Sequence, residues 1–121
     1  MVRALFDTNI LIDYLNAVPQ ARAEIQRYTG KAISIITWME VMAGANRDLE
    51  AATRSFLSGF DVVAVDEQVA ERAVSLRRSR RIKFPDAVIW ASAQAHAMLL
   101  VTRNTKDFPA DDPGIRAPYR L

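Results

Sequence analysis

Four carboxylates, Asp7, Glu40, Asp86 and Asp107, stand in this 121-residue chain where one predicted element gives way to the next. Asp7 and Glu40 each follow an apolar β-rich run, Asp86 opens an alanine-rich helical segment, and Asp107 comes with Asn104 after a last apolar run. If the runs are strands of a parallel sheet, the junctions gather along its carboxyl edge, where open α/β sheets place their ligands. Two carboxylates about 4 Å apart repel by about 4 kcal/mol at an effective dielectric of 20, so three close pairs cost on the order of 12 kcal/mol. That rivals the net stability of a whole domain. Such a cluster must take up protons or bind a cation.

The donor set selects the cation. With one histidine and no cysteine, the ligands are oxygens, which favours the hard ions Mg²⁺ and Mn²⁺. Mg²⁺ commonly completes its shell with substrate phosphate, so the implied chemistry is phosphodiester hydrolysis by a metal-activated water. Thr8, Asn9, Thr102 and Asn104 are placed to orient ligating carboxylates or waters.

Each residue also has a plainer reading. Asp, Thr and Asn are preferred helix caps, so Asp7-Thr8-Asn9 could simply start a helix. Thr37-x-x-Glu40 has the form of a capping box. Asp86, after Pro85, suits a first helical turn. Asp107 could be a surface loop acid.

The elements that must position these groups follow from pattern. Arg3 to Phe6 is a short strand, and the apolar spacing of Ile10, Leu11, Tyr14 and Leu15 is helical. Pro19 starts a second helix over 21–28, stopped at Thr29-Gly30, and 32–36 is β-branched and reads as the second strand. Helices are expected from Thr37 to Ala43 and from Asp48 to Ser58, and a third strand over 60–65. Asp66 caps a long helix to about Arg81, Pro85 starts a buried one over 86–97, and 98–102 is a fourth strand. The proline-containing tail carries at most an edge strand at 115–117. Strands alternating with helices predict one α/β domain spanning 1–121, with a central, mainly parallel sheet of four or five strands between helical layers.

The lone His96, expected to pack on its helix, rules out triad and multi-histidine metal chemistry. Asp7 interrupts the first apolar run too early for a signal-peptide core, and no uncharged stretch approaches the roughly 18 residues of a membrane span. The sequence therefore reads as cytoplasmic. The net charge of +2 says little, but Arg72, Arg77, Arg78, Arg80, Arg81 and Lys83 crowd one segment. Arg77, Arg80 and Arg81 could neutralise RNA phosphates or form a solvated helix face. Arg103, beside the acidic edge, is a further candidate for substrate contact. Trp38, Met39, Met42, Leu11, Ile12, Leu15 and Trp90 are expected in the core, unless some form a groove for a partner helix.

Phe6-Asp7-Thr8-Asn9, Thr37-x-x-Glu40, Pro85-Asp86-Ala87 and Thr102-Arg103-Asn104-Thr105-Lys106-Asp107-Phe108, in this order and at this length, resemble the PIN-domain nucleases, specifically the VapC-type toxins of toxin-antitoxin pairs. The resemblance implies a PIN-like α/β/α fold and a Mg²⁺- or Mn²⁺-dependent endoribonuclease. It also implies inhibition by a cognate VapB-type antitoxin and a homodimer. Asp7, Glu40 and Asp86 match the family's acidic positions; Asn104 stands where many relatives have an acid, and Asp107 lies a helical turn on. Two other classes compete. One is a non-catalytic protein- or RNA-binding module of the same fold, favoured only by Asn104. The other is a phosphoacceptor receiver domain, which calls for adjacent acids after the first strand, where this chain has Asp7 alone.

Overall fold

A computed structural model describes residues 2–121. Five strands, β1 (Arg3–Phe6), β2 (Gly30–Ser34), β3 (Asp61–Val63), β4 (Leu99–Val101) and β5 (Ile115–Arg116), form one sheet in the order β3-β2-β1-β4-β5. Every pairing is parallel. Six helices are described: α1 (Thr8–Leu15), α2 (Pro19–Gln26), α3 (Ile35–Gly44), α4 (Glu50–Leu57), α5 (Glu67–Arg80) and α6 (Phe84–Ala95).

Strand periodicity divides the core. Ala4 and Phe6 of β1 point to one face with Ile33 and Val101, against Ile10, Leu11, Ile25, Val41 and Leu57 of α1 to α4. Leu5, Ala32 and Leu100 point to the other face, against Val69, Ala73 and Leu76 of α5 and Ala87 to Ala93 of α6. The result is the expected α/β/α sandwich. The chain winds outward from β1 through β2 to β3, then crosses to the other side of β1 for β4 and β5. The loops leaving β1 and β4 therefore diverge, opening a crevice at the carboxyl ends of those two strands.

Several boundaries differ from the sequence reading. Strand β2 takes in Gly30, paired with Arg3, where an added Cβ would stand 2.8 Å from the Arg3 Cγ. It stops at Ser34, whose Oγ accepts from the Ile36 N–H and caps α3. Ile35 and Ile36 are thus helical despite their β preference, because the cap and the end of strand pairing outweigh it. Thr37-x-x-Glu40 is consequently not a capping box. His96 closes α6 and is exposed rather than packed. Ile12, Leu15 and Met39 are 43%, 44% and 47% exposed and do not belong to the core, while Leu11 and Trp90 do. No helix among the described residues is long and apolar enough to cross a membrane.

Candidate active site

Asp7 caps α1 directly after β1, its Oδ1 accepting from the Thr8 N–H at 2.7 Å. Its other oxygen accepts from Thr102 Oγ1 at 2.7 Å and from Asn9 Nδ2 at 3.1 Å. Capping and a chemical role are therefore compatible in one residue: one oxygen starts the helix and the other faces β4 across the crevice. Thr102 has a single proton, given to Asp7, and its lone pairs receive the Asn104 N–H at 3.0 Å and Asn9 Nδ2 at 3.4 Å. Asn9 in turn accepts from the Arg103 N–H, joining α1 to the segment after β4.

Glu40, on the exposed side of α3, is held by Thr8, whose hydroxyl donates to Oε1 at 2.7 Å. That spends the Thr8 proton, so the 2.9 Å contact between Thr8 and Thr37 has Thr37 as donor. Thr37 is fully buried, and its task is to support Thr8 rather than to cap α3. Asn104 pairs twice with Asp107: its Nδ2 donates to Oδ2 at 3.0 Å, and its Oδ1 accepts the Asp107 N–H at 3.3 Å. Phe108 anchors this turn, fully buried with its ring edge-on to Trp90 at 5.8 Å. Asp86 sits half-buried in the first turn of α6.

These acids are felt by one another more than by any cation. Burial pushes the Asp7 carboxyl up to about 6, against the hydrogen bonds from Thr102 and Thr8, and the charges of Asp86 and Glu40 push it the same way. Burial also raises Asp86, with Asp107 and Glu40 adding repulsion and Lys83 relieving part of it. The acids in the ion pairs among the described residues are Asp61, Glu24, Glu50 and Asp13, so none of the four site carboxylates is neutralised by a partner side chain.

The donor chemistry fits a hard divalent cation. Among the described residues no three acidic side chains close into a ready-made cage. The acids are coupled in pairs instead, Asp7 with Asp86 and Glu40, and Asp86 with Asp107 and Glu40.

Three expected substrate contacts divide. Arg103 is engaged by Asp13, Nε to Oδ2 at 2.8 Å and its terminal nitrogen to Oδ1 at 3.1 Å. Arg77 donates to the Ile82 carbonyl at 2.7 Å and lies over the Phe84 ring. Both serve the fold in these positions, and Arg80 leaves their supposed common face by stacking over Trp90. Arg81 alone of the three candidates is exposed without such a partner among the described residues.

Sequence reasoning missed Asp13 and Glu24. Both are buried, and each holds an arginine through two hydrogen bonds together with a tyrosine hydroxyl: Arg103 and Tyr119 on Asp13, Arg116 and Tyr28 on Glu24. These two staples tie the α1–α2 hairpin to the β4–β5 side of the sheet. The only available signal was the recurrence of Asp13 and Glu24 within helices whose neighbours are apolar.

The family model described as PIN domain matches residues 4–110. The tRNA(fMet)-specific endonuclease VapC of Shigella flexneri is 30% identical over 120 residues, covering 89% of this chain and 91% of that protein. Among solved structures, a toxin-antitoxin complex from Klebsiella pneumoniae contains a chain 48% identical, with a TM-score of 0.92 over 98% of this chain and 99% of that one. A DNA-bound VapBC structure from Salmonella typhimurium gives a TM-score of 0.78 at 27% identity, covering 96% of each chain. With its acidic crevice and a family match over nearly its whole length, the chain belongs to the PIN-domain family.

Proposed function

We propose that this protein is the toxin of a VapBC-type pair and acts as a Mg²⁺- or Mn²⁺-dependent endoribonuclease restrained by a cognate antitoxin. What supports the reading is that Asp7, Glu40, Asp86 and Asp107 feel one another's charge, while none of them is neutralised by an ion-pair partner among the described residues. Asp7, Glu40, Asp86 and Asp107 would hold the cation. When bound, it neutralises phosphate charge and lowers the pKa of a neighbouring water.

The chain's own residues set the geometry. Thr102 and Asn9 fix the outward oxygen of Asp7, Thr8 turns Glu40 toward the crevice, and Asn104 aims Asp107. With an amide at 104, charge at this corner comes from Asp107. The similar solved chains belong to a toxin-antitoxin complex and to VapBC, which supports an antitoxin for this chain as well. Its docking place is an apolar groove of about 350 Å³ lined by Ile12, Leu15, Val41 and Leu49, with Glu40 at one edge. An amphipathic helix laid there covers the exposed side chains of α1 and reaches the acids. A homodimer in the cytoplasm completes the reading.

The test is cleavage of tRNA by the purified protein. Activity should require Mg²⁺ or Mn²⁺, stop with EDTA, and be lost in Asp7→Asn and Asp86→Asn. Folded variants that both still cleave would overturn the assignment.

A further inference from the structure

The acidic crevice repels the polyanion it is proposed to cut, so cations must offset that charge somewhere along the approach. Most basic residues close by are already spent. Arg103 is held by Asp13 and Arg116 by Glu24, while Arg77 is bound to the Ile82 carbonyl. Three are not. Lys83, capping α6, is exposed and its charge is already felt by Asp86. Arg81, at the end of α5, and Lys106, in the turn after β4, are exposed and have no ion-pair partner among the described residues. They line one open cleft of about 630 Å³, shared with Ser79, Thr105 and Asp107.

This cleft differs in kind from the groove on the other flank of the site. The groove is walled by aliphatic side chains of α1, α3 and α4, whereas the cleft carries two free cations and two hydroxyls and is continuous with a site carboxylate. Arg80 forms part of the same wall, its guanidinium held over Trp90 at 5.0 Å. Hydroxyls and cations along an open channel suit a phosphodiester backbone, which offers acceptors at regular intervals.

We propose that the cleft between the end of α5 and the turn after β4 is the RNA backbone path into the acidic crevice, with Arg81 and Lys106 each neutralising a phosphate flanking the one to be cleaved. The inference rests on the ribonuclease reading and names the side from which the strand enters. It also replaces the helix face of Arg77, Arg80 and Arg81 expected from the sequence with a pairing of Arg81 and Lys106 across two segments.

Arg81 offers an unusual test because it closes α5 in the left-handed conformation, at φ 57° and ψ 29°. Glycine occupies that conformation without steric penalty, so Arg81→Gly removes the charge while relieving the backbone. The experiment measures binding of fluorescein-labelled tRNA by anisotropy across a salt series, on an Asp86→Asn background that prevents cleavage. For Arg81→Gly combined with Lys106→Gln, affinity should fall at least tenfold, and the slope of log affinity against log salt should flatten by about 1.5, near 0.7 to 0.9 per lost phosphate contact.

Arg81→Gly alone should melt higher than its parent yet bind tRNA more weakly, a combination that unfolding cannot produce. Arg72→Gln with Arg78→Gln removes the same charge from α5 outside the cleft and should cost less than threefold. The cleft assignment is overturned if the double cleft variant keeps the parental affinity and slope, or if the control pair loses as much. Metal-dependent cleavage by the unsubstituted protein, run in parallel, separates the two claims. Cleavage with an unchanged cleft variant removes only the cleft, and absence of both RNA binding and cleavage removes the ribonuclease reading with it.

Discussion

Arg103 grips Asp13 with two parallel hydrogen bonds, at 2.8 and 3.1 Å, across 90 positions of sequence. The pair fastens α1 to the segment that carries Thr102, Asn104 and Asp107, and Tyr119 adds a third donor to the same carboxylate at 2.7 Å. Asp13 is 5% exposed, so removing its charge leaves the guanidinium facing a buried, neutral partner. Breaking a fully buried pair costs about 3 to 5 kcal/mol; with the Arg103 side chain 34% exposed, Asp13→Asn should destabilise by about 2 kcal/mol in urea denaturation. The kinetic signature is as informative. If Arg103 works by positioning, Arg103→Lys lowers kcat with little change in KM, because an ammonium cannot reproduce the fork. A rise in KM with kcat preserved would instead return Arg103 to direct contact with substrate.

Thr102 is fully buried and turns its single proton toward Asp7. Thr102→Val keeps the shape and removes the hydroxyl, leaving the Asn104 N–H without its acceptor and Asp7 without a donor that favours its charged form. A loss of about 1 to 2 kcal/mol in stability follows from the unsatisfied amide. Mn²⁺ affinity by calorimetry should weaken about tenfold, the lower end of the range for a lost support to a metal ligand. Thr102→Ser should recover most of both losses. Equal Mn²⁺ affinity in the valine variant would show that Asp7 needs no such support.

What the sequence disclosed and what it withheld divide on a physical line. Elements marked by local pattern were legible: the short apolar run of β1, the prolines that start α2 and α6, and the Asp66 cap of α5 are written in adjacent residues. So was the order of the acidic junctions, since a parallel sheet collects strand ends on one edge. Long-range pairing was not. Asp13 on α1 looks like any solvent-facing helical acid until Arg103 arrives from the segment after β4, 90 residues on, and Arg103 looks like a free cation for the same reason. Ile12 and Leu15 have core spacing, yet among the described residues no element fully covers their side of α1. Helical pattern specifies that a face is apolar, while tertiary structure decides whether it is buried within the chain or left for a partner.

Without metal, the site carboxylates should make the protein less stable as pH rises. Burial lifts Asp7 from 3.8 to about 6, so across that window the folded chain retains a proton the unfolded chain has lost. Stability is then greatest below the unfolded value and falls until pH passes the folded one, by up to about 3 kcal/mol at 1.36 kcal/mol per pKa unit. The raised Asp86 acts in the same direction. Urea midpoints in EDTA should therefore drop between pH 4.5 and 7.5, and Asp7→Asn should remove most of the drop. The variant gains less than the full amount at neutral pH, because its new amide would face Asn9 Nδ2, which now donates to Asp7. Added Mn²⁺ should stabilise the unsubstituted protein at pH 7.5 and leave Asp7→Asn nearly unmoved. An undiminished pH slope in Asp7→Asn would place its source elsewhere.

Leu49 is 55% exposed and lines the apolar groove beside Glu40, where the antitoxin segment is proposed to lie. An acid there meets water in the free toxin, so Leu49→Asp should change stability by less than about 0.5 kcal/mol, the usual range for surface positions. In the complex the same carboxylate is forced against apolar surface without a partner, at a cost of about 2 kcal/mol or more. Inhibition by the antitoxin should then require roughly 30-fold more of it, at 1.4 kcal/mol per factor of ten. Cells expressing the variant should be growth-arrested even with the antitoxin present. Full neutralisation of Leu49→Asp at parental antitoxin levels would move the docking site away from this groove, and the exposed Ile12 and Leu15 of α1 would then need another occupant.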